Sequence, residues 1–133
     1  MKIIDIEGIG PAYAQKLAKA GIRTTDALLK KGASAEGRRE IKDMTGIGHE
    51  LILEWVNLAD LNRIKGVGGQ YSDLLEEAGV DTVDELSKRV AKNLYEKMQQ
   101  VNQTKNLVNK MPTLTQIEDW IKQAKKLRKV VTY

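Results

Sequence analysis

The chain has 133 residues, 41% of them apolar, with 11 glycines, 2 Trp, 4 Tyr and no Phe, which is enough for one ordinary domain or two very small ones and outside the disordered range. Cysteine is absent, which excludes a disulfide scaffold, a thiol nucleophile, a zinc finger and iron–sulfur ligation. The formal charge of +4 is unevenly placed: residues 1–61 balance nine basic against nine acidic side chains, 62–87 hold two against six, and 88–133 hold eleven against three, so the basic excess is C-terminal.

In chain order the punctuation is helical. Pro11 suits a first helical residue, Ala14, Leu17 and Ala18 follow on one face, and Gly21 supplies a left-handed stop. Thr24 or Thr25 caps a short helix through Leu29, and Ser34 caps the next, with Ile41 and Met44 on its buried face and Gly46 at its end. A longer helix, His49–Leu61, carries an apolar stripe of Leu51, Ile52, Trp55, Val56 and Ala59. Further helices are predicted at Gln70–Ala78, Thr82–Lys88, Lys92–Gln103 and Gln116–Leu127, the last opened by a Thr115/Glu118 capping box. No apolar run reaches signal or membrane-span length, so the expectation is a soluble, cytoplasmic protein with no membrane association.

The second half restates the first. At an offset of 58, Ile6-Glu7-Gly8-Ile9-Gly10 meets Ile64-Lys65-Gly66-Val67-Gly68, and Tyr13, Leu17, Gly21 and Thr24 meet Tyr71, Leu75, Gly79 and Thr82. Near the ends the offset is 65, pairing Trp55 with Trp120, so the second copy holds about seven extra residues, assigned to Gln99–Asn109. The fold expected is all-α, about eight short helices packed as one body, with copies at 1–61 and 62–133 and the two tryptophans pinning the core.

Three segments share the pattern apolar-x-Gly-apolar-Gly: Ile6–Gly10, Met44–Gly48 and Ile64–Gly68. Two glycines around one apolar residue allow a tight hairpin whose central side chain (Ile9, Ile47 or Val67) plugs the core. The following helix then presents free N–H groups and the positive end of its dipole, a site suited to a phosphate oxygen. The fourth position, Met111-Pro112-Thr113-Leu114, has no glycine. The first hairpin has too few preceding residues for a leading helix, and Gln116–Leu127 is expected to complete it.

In these residues the chain resembles the helix-hairpin-helix superfamily, and more closely an uncharacterised bacterial family of small tandem helix-hairpin-helix (SAM-like) proteins, a domain of unknown function. The resemblance implies grip on the DNA backbone without base readout, and a monovalent cation among hairpin carbonyls beside the phosphate. The expected contacts are Lys65, Gly66, Val67 and Gly68 first, and Gly8, Ile9 and Gly10 with Lys16 second. Gly46, Ile47, Gly48 and His49 form a third group, and Lys122, Lys125, Lys126, Arg128 and Lys129 an auxiliary basic surface. Glu7 and Glu50 place negative charge beside the first and middle hairpins, and Pro11 removes one donor.

No catalytic machinery is legible. The single His49 has no Asp partner at motif spacing, the densest acids (Glu76, Glu77, Asp81, Asp84, Glu85) read as solvated faces, and Gly66-Val67-Gly68-Gly69 lacks the strand and Gly-Lys-Ser/Thr of a P-loop. The expected function is non-catalytic binding of DNA or structured RNA through phosphates. The competing expectation is a protein–protein scaffold that binds no nucleic acid.

Overall fold

Short-range chemistry decides where the helices of this chain begin. In a computed structural model describing residues 1–133, Thr24, Ser34, Thr82 and Thr113 each accept a hydrogen bond from a backbone N–H one turn ahead, relieving donors that the helix itself cannot satisfy. They open α2 (Thr25–Gly32), α3 (Ala35–Thr45), α6 (Val83–Ser87) and α8 (Leu114–Lys126). The remaining helices are α1 (Pro11–Lys19), α4 (His49–Leu61), α5 (Gly69–Glu77) and α7 (Ala91–Lys105). The fold is all-helical; its one strand-like pairing is an isolated antiparallel bridge between Lys2 and Thr24. No helix is long and apolar enough to cross a membrane.

The chain divides into two compact units, Met1–Asp60 with Val130–Tyr133, and Leu61–Lys129. In the first, Leu17, Leu28, Ile41, Ile52, Trp55 and Val56 form the centre of a core that Ile3, Ile6 and Ile9 close from the N-terminal side. In the second, Ile64, Leu74, Leu75, Leu86, Met98, Ile117 and Trp120 do the same, with α8 packed on α6 and α7. Each tryptophan lies against a tyrosine, Tyr13 to Trp55 at 5.1 Å and Tyr71 to Trp120 at 5.4 Å between ring centroids. Both indoles sit in the core, 1% and 2% exposed.

Four expectations are corrected. Met44 is 60% exposed; it follows Gly37 and Ile41 on the buried face of α3, but in the last turn of the helix that face is no longer covered. The capping box of α8 is formed by Thr113 and Gln116, two residues before the predicted pair, so the helix starts at Leu114. The element ahead of the first hairpin is the 3-10 turn Ile3–Asp5, which packs on α1, and not α8. The last four residues, expected with the second copy, belong to the first unit: Thr132 N–H donates to Ala33 O at 2.8 Å and Val131 enters that core.

The tail is held by Arg38, which is buried and donates to Gly32 O (2.8 Å), Ala33 O (3.0 Å) and Thr132 O (2.6 Å). Burial pushes its guanidinium pKa down, against the opposing influence of Tyr133. Three carbonyl acceptors hold the two terminal nitrogens of the guanidinium, Nε is left without a hydrogen-bond partner, and Cζ lies 5.9 Å from the centroid of the Tyr133 ring.

Candidate functional site

The hairpins form because a left-handed residue must reverse the chain within a few positions. Gly8 (φ +91°) and Gly66 (φ +94°) occupy this region, where an L side chain is strained. Each turn is closed by its apolar plug, Ile9 N–H donating to Ile6 O and Val67 N–H to Ile64 O, both at 3.1 Å. In the middle hairpin Ile47 N–H donates to Thr45 Oγ1 at 3.1 Å. Ile9, Ile47 and Val67 are all buried. Expected among the binding residues, they act as plugs whose own amides are already engaged.

What the hairpins leave open is the first turn of the next helix. Gly68, Gly69, Gln70 and Tyr71 have N–H groups that meet no protein acceptor; the first bonded amide of α5 is Ser72, onto Gly68 O at 2.9 Å. Gly10, Ala12 and Tyr13 are equally open in α1, with Pro11 contributing no donor, and so are Gly48 to Leu51 at the start of α4. No side chain caps α1 or α5, in contrast to the four Ser- and Thr-capped helices. A Cβ at Gly10, Gly48 or Gly68 would meet nothing within 4 Å, so the space beside each of these three glycines is open.

Charge separates the three. In the second unit Lys65, three residues before the first open amide of α5, is exposed. Its peptide is held by Gln123 of α8, whose Oε1 accepts from Lys65 N–H at 2.9 Å and whose Nε2 donates to Lys65 O at 3.0 Å. Nε2 also donates to Asp119 Oδ2 at 2.9 Å, orienting the amide. Lys65 therefore offers its ammonium but not its backbone N–H. In the first unit Glu7 stands at the corresponding position, and the nearby cation is Lys16, whose Nζ lies 5.9 Å from the centroid of Tyr13, the ring packed on Trp55. At the middle hairpin His49 and Glu50 are both exposed.

The C-terminal cations are exposed but do not form one cluster at the hairpin. Lys129 Nζ lies 3.8 Å from Asp84 of α6, and Arg128 contributes its carbonyl to Arg63. On α8, Lys126 falls one turn beyond Gln123 and shares its flank, while Lys125 falls on the opposite side and Lys122 between them. Lys125 and Lys126 also answer the negative end of the α8 dipole.

Two cation sites can be tested against the residues. At the second hairpin, where a monovalent ion is expected, the carbonyls of Ile64, Lys65 and Gly68 each accept one hydrogen bond. Asp73, Glu76 and Glu77 on α5 bring carboxylate oxygens within 4.8 Å of one another. There Lys105 supplies the positive charge: it pairs with Glu77, and that hydrogen bond raises its pKa.

Two contacts were invisible to sequence reasoning, the Gln123 clamp and the placing of each indole. The point where a Cβ of Gly8 would stand is 3.5 Å from Trp55 Nε1, and at Gly66 it is 3.0 Å from Trp120 Nε1. Gln123 lies 58 residues from Lys65, and no local pattern announces such a contact.

One protein family, described as a domain of unknown function (DUF4332), matches residues 7–127. No curated protein and no solved structure matches the chain.

Proposed function

This chain belongs to the DUF4332 family, and from that premise we propose that it is a non-catalytic, tandem helix-hairpin-helix protein that binds the nucleic-acid backbone without regard to sequence. The observation that carries the reading is the run of four open amides, Gly68 to Tyr71, on an uncapped helix shortly after the exposed Lys65. Backbone N–H groups and a helix dipole hold a phosphate oxygen and carry no information about bases. The second hairpin is the principal contact. The first, with Glu7 in place of a lysine, is the weaker one, supported by Lys16. Lys126 and Lys122 extend the positive flank of α8.

Fluorescence anisotropy with a short mixed-sequence duplex at two salt concentrations tests the proposal. If three to five phosphates are neutralised, log K falls against log salt with a slope of roughly −3 to −5. Lys65→Glu weakens binding of every sequence alike. Absence of salt-sensitive binding at micromolar protein overturns the proposal. It would favour the scaffold reading, whose support is Met44, exposed at the end of α3 next to the middle hairpin.

A further inference from the structure

Buried tryptophans ordinarily find an acceptor for the indole N–H, because an unpaired donor in an apolar core is costly. Neither indole here does so. Trp55 and Trp120 are 1% and 2% exposed as whole residues, and neither Nε1 has a hydrogen-bond partner in the protein, yet neither is among the fully buried unpaired atoms, so each nitrogen reaches solvent. Both nitrogens are nonetheless directed to one kind of place, the underside of an exposed hairpin glycine. At Gly8 the Trp55 nitrogen is the one atom within 4 Å of the missing Cβ, and at Gly66 only Nε1 and Cδ1 of Trp120 are. Any larger residue at these positions would cover the N–H. The same arrangement arises independently in the two units, so it is a feature of the hairpin and not of one side chain.

Resting on the backbone-binding reading above, we infer that Trp120 in the second unit and Trp55 in the first each donate the indole N–H to the phosphate oxygen held at its hairpin. The glycine serves two ends: its positive φ reverses the chain, and its lack of a side chain opens a window onto the donor. An oxyanion at the second hairpin is then met by the open amides of α5, the Lys65 ammonium and an indole N–H from the core. At the first hairpin the set is Gly10, Ala12 and Tyr13 amides with Trp55, opposed by Glu7. Trp120 therefore engages at lower ligand concentration than Trp55. An indole held by the core arrives pre-positioned and loses little freedom on binding, unlike a lysine.

The test is ¹H–¹⁵N NMR of the intact protein, whose two tryptophans give two indole cross-peaks. Inorganic phosphate and, separately, a short mixed-sequence duplex are titrated at constant ionic strength against a chloride control. The expected result is a saturable shift of the Trp120 indole peak together with the amides of Gly68 to Tyr71, and a later shift of Trp55. Trp120→Phe keeps an aromatic ring against Tyr71 and should weaken duplex binding roughly tenfold, as for loss of one hydrogen bond to a charged acceptor. Its circular dichroism spectrum and thermal midpoint are checked first. If the duplex binds and the amides shift while both indole peaks stay still, the indole role is overturned and the backbone reading stands. If neither duplex nor phosphate moves any peak beyond the chloride control, the backbone reading fails and this inference with it. The wild-type titration decides between these outcomes even where Trp120→Phe does not fold.

Discussion

Replacing Gln123 by Leu removes the two hydrogen bonds that hold the Lys65 peptide, at 2.9 and 3.0 Å, while keeping a side chain of similar size on α8. A net contribution of about 0.5–1.5 kcal/mol per bond sets the scale. Lys65 is exposed and Gln123 half-buried, so water replaces both partners after the substitution and the lower limit applies, about 1 kcal/mol for the pair. Amide exchange reads the loss at the site itself: exchange of the Lys65 amide should quicken about fivefold if the hairpin opens locally. Leu75, at the centre of the same unit, should change much less. Hydrogen exchange followed by NMR on both proteins measures this directly. A Lys65 amide that exchanges at the wild-type rate in Gln123→Leu would show that the clamp carries no energy and that the hairpin is shaped by its glycine and apolar plugs alone. Where the clamp does hold, duplex affinity should fall as well, because a looser hairpin must be ordered again on binding.

Gly37→Ala should destabilise the protein by about 1–3 kcal/mol, the cost of overpacking, because the new Cβ would stand 1.8 Å from Lys31 O; helix propensity alone predicts the opposite sign, so a urea midpoint that rises would refute the contact. Arg38→Leu removes the donor to the carbonyls of Gly32, Ala33 and Thr132 and should cost about 3 kcal/mol, with the Thr132 amide losing exchange protection; an unchanged Thr132 amide would mean the tail is held without Arg38, by Val131 and the Thr132–Ala33 hydrogen bond. Asp81 has its pKa raised above the ordinary 3.8 by burial first and by Glu85 second, with Arg89 opposing. A carboxyl whose folded pKa is raised destabilises the fold while ionised and ceases to do so as pH falls through the folded value to below the unfolded one. Asp81→Asn should therefore raise the thermal midpoint at pH 7 and lose that advantage below about pH 3.8, provided Asp81 N–H keeps its bond to Glu85 Oε2; an advantage that persists at low pH would refute the electrostatic origin.

Most helix limits are legible in the chain because they are settled within a few residues. Pro11, Ser34, Gly46 and Thr82 act through bonds one turn long, and each stands where its type and spacing place it. The apolar plugs Ile9, Ile47 and Val67 are likewise readable, since two flanking glycines leave a core-facing side chain little alternative. Local signals fail where two candidates compete over a short distance, as with Thr113 and Thr115, and where a helix face runs past the packing that covers it, as at Met44 in the last turn of α3.

The hairpins as candidate anion sites, with free amides at the start of the following helix, were thus present in the sequence, whereas the side chains that frame them were not. Which amides stay open depends on the absence of a cap, on Gln123 reaching Lys65 from 58 residues away, and on each tryptophan turning its nitrogen toward a glycine and not toward a carbonyl. The return of Val131 and Thr132 to the first unit is of the same kind. Such contacts join residues far apart in the chain, and their geometry follows from how whole helices pack; turn and cap chemistry acts over one turn only. The sequence determined the helices, their punctuation and the glycine bends, and tertiary packing alone decided which polar groups at those bends were left unpaired.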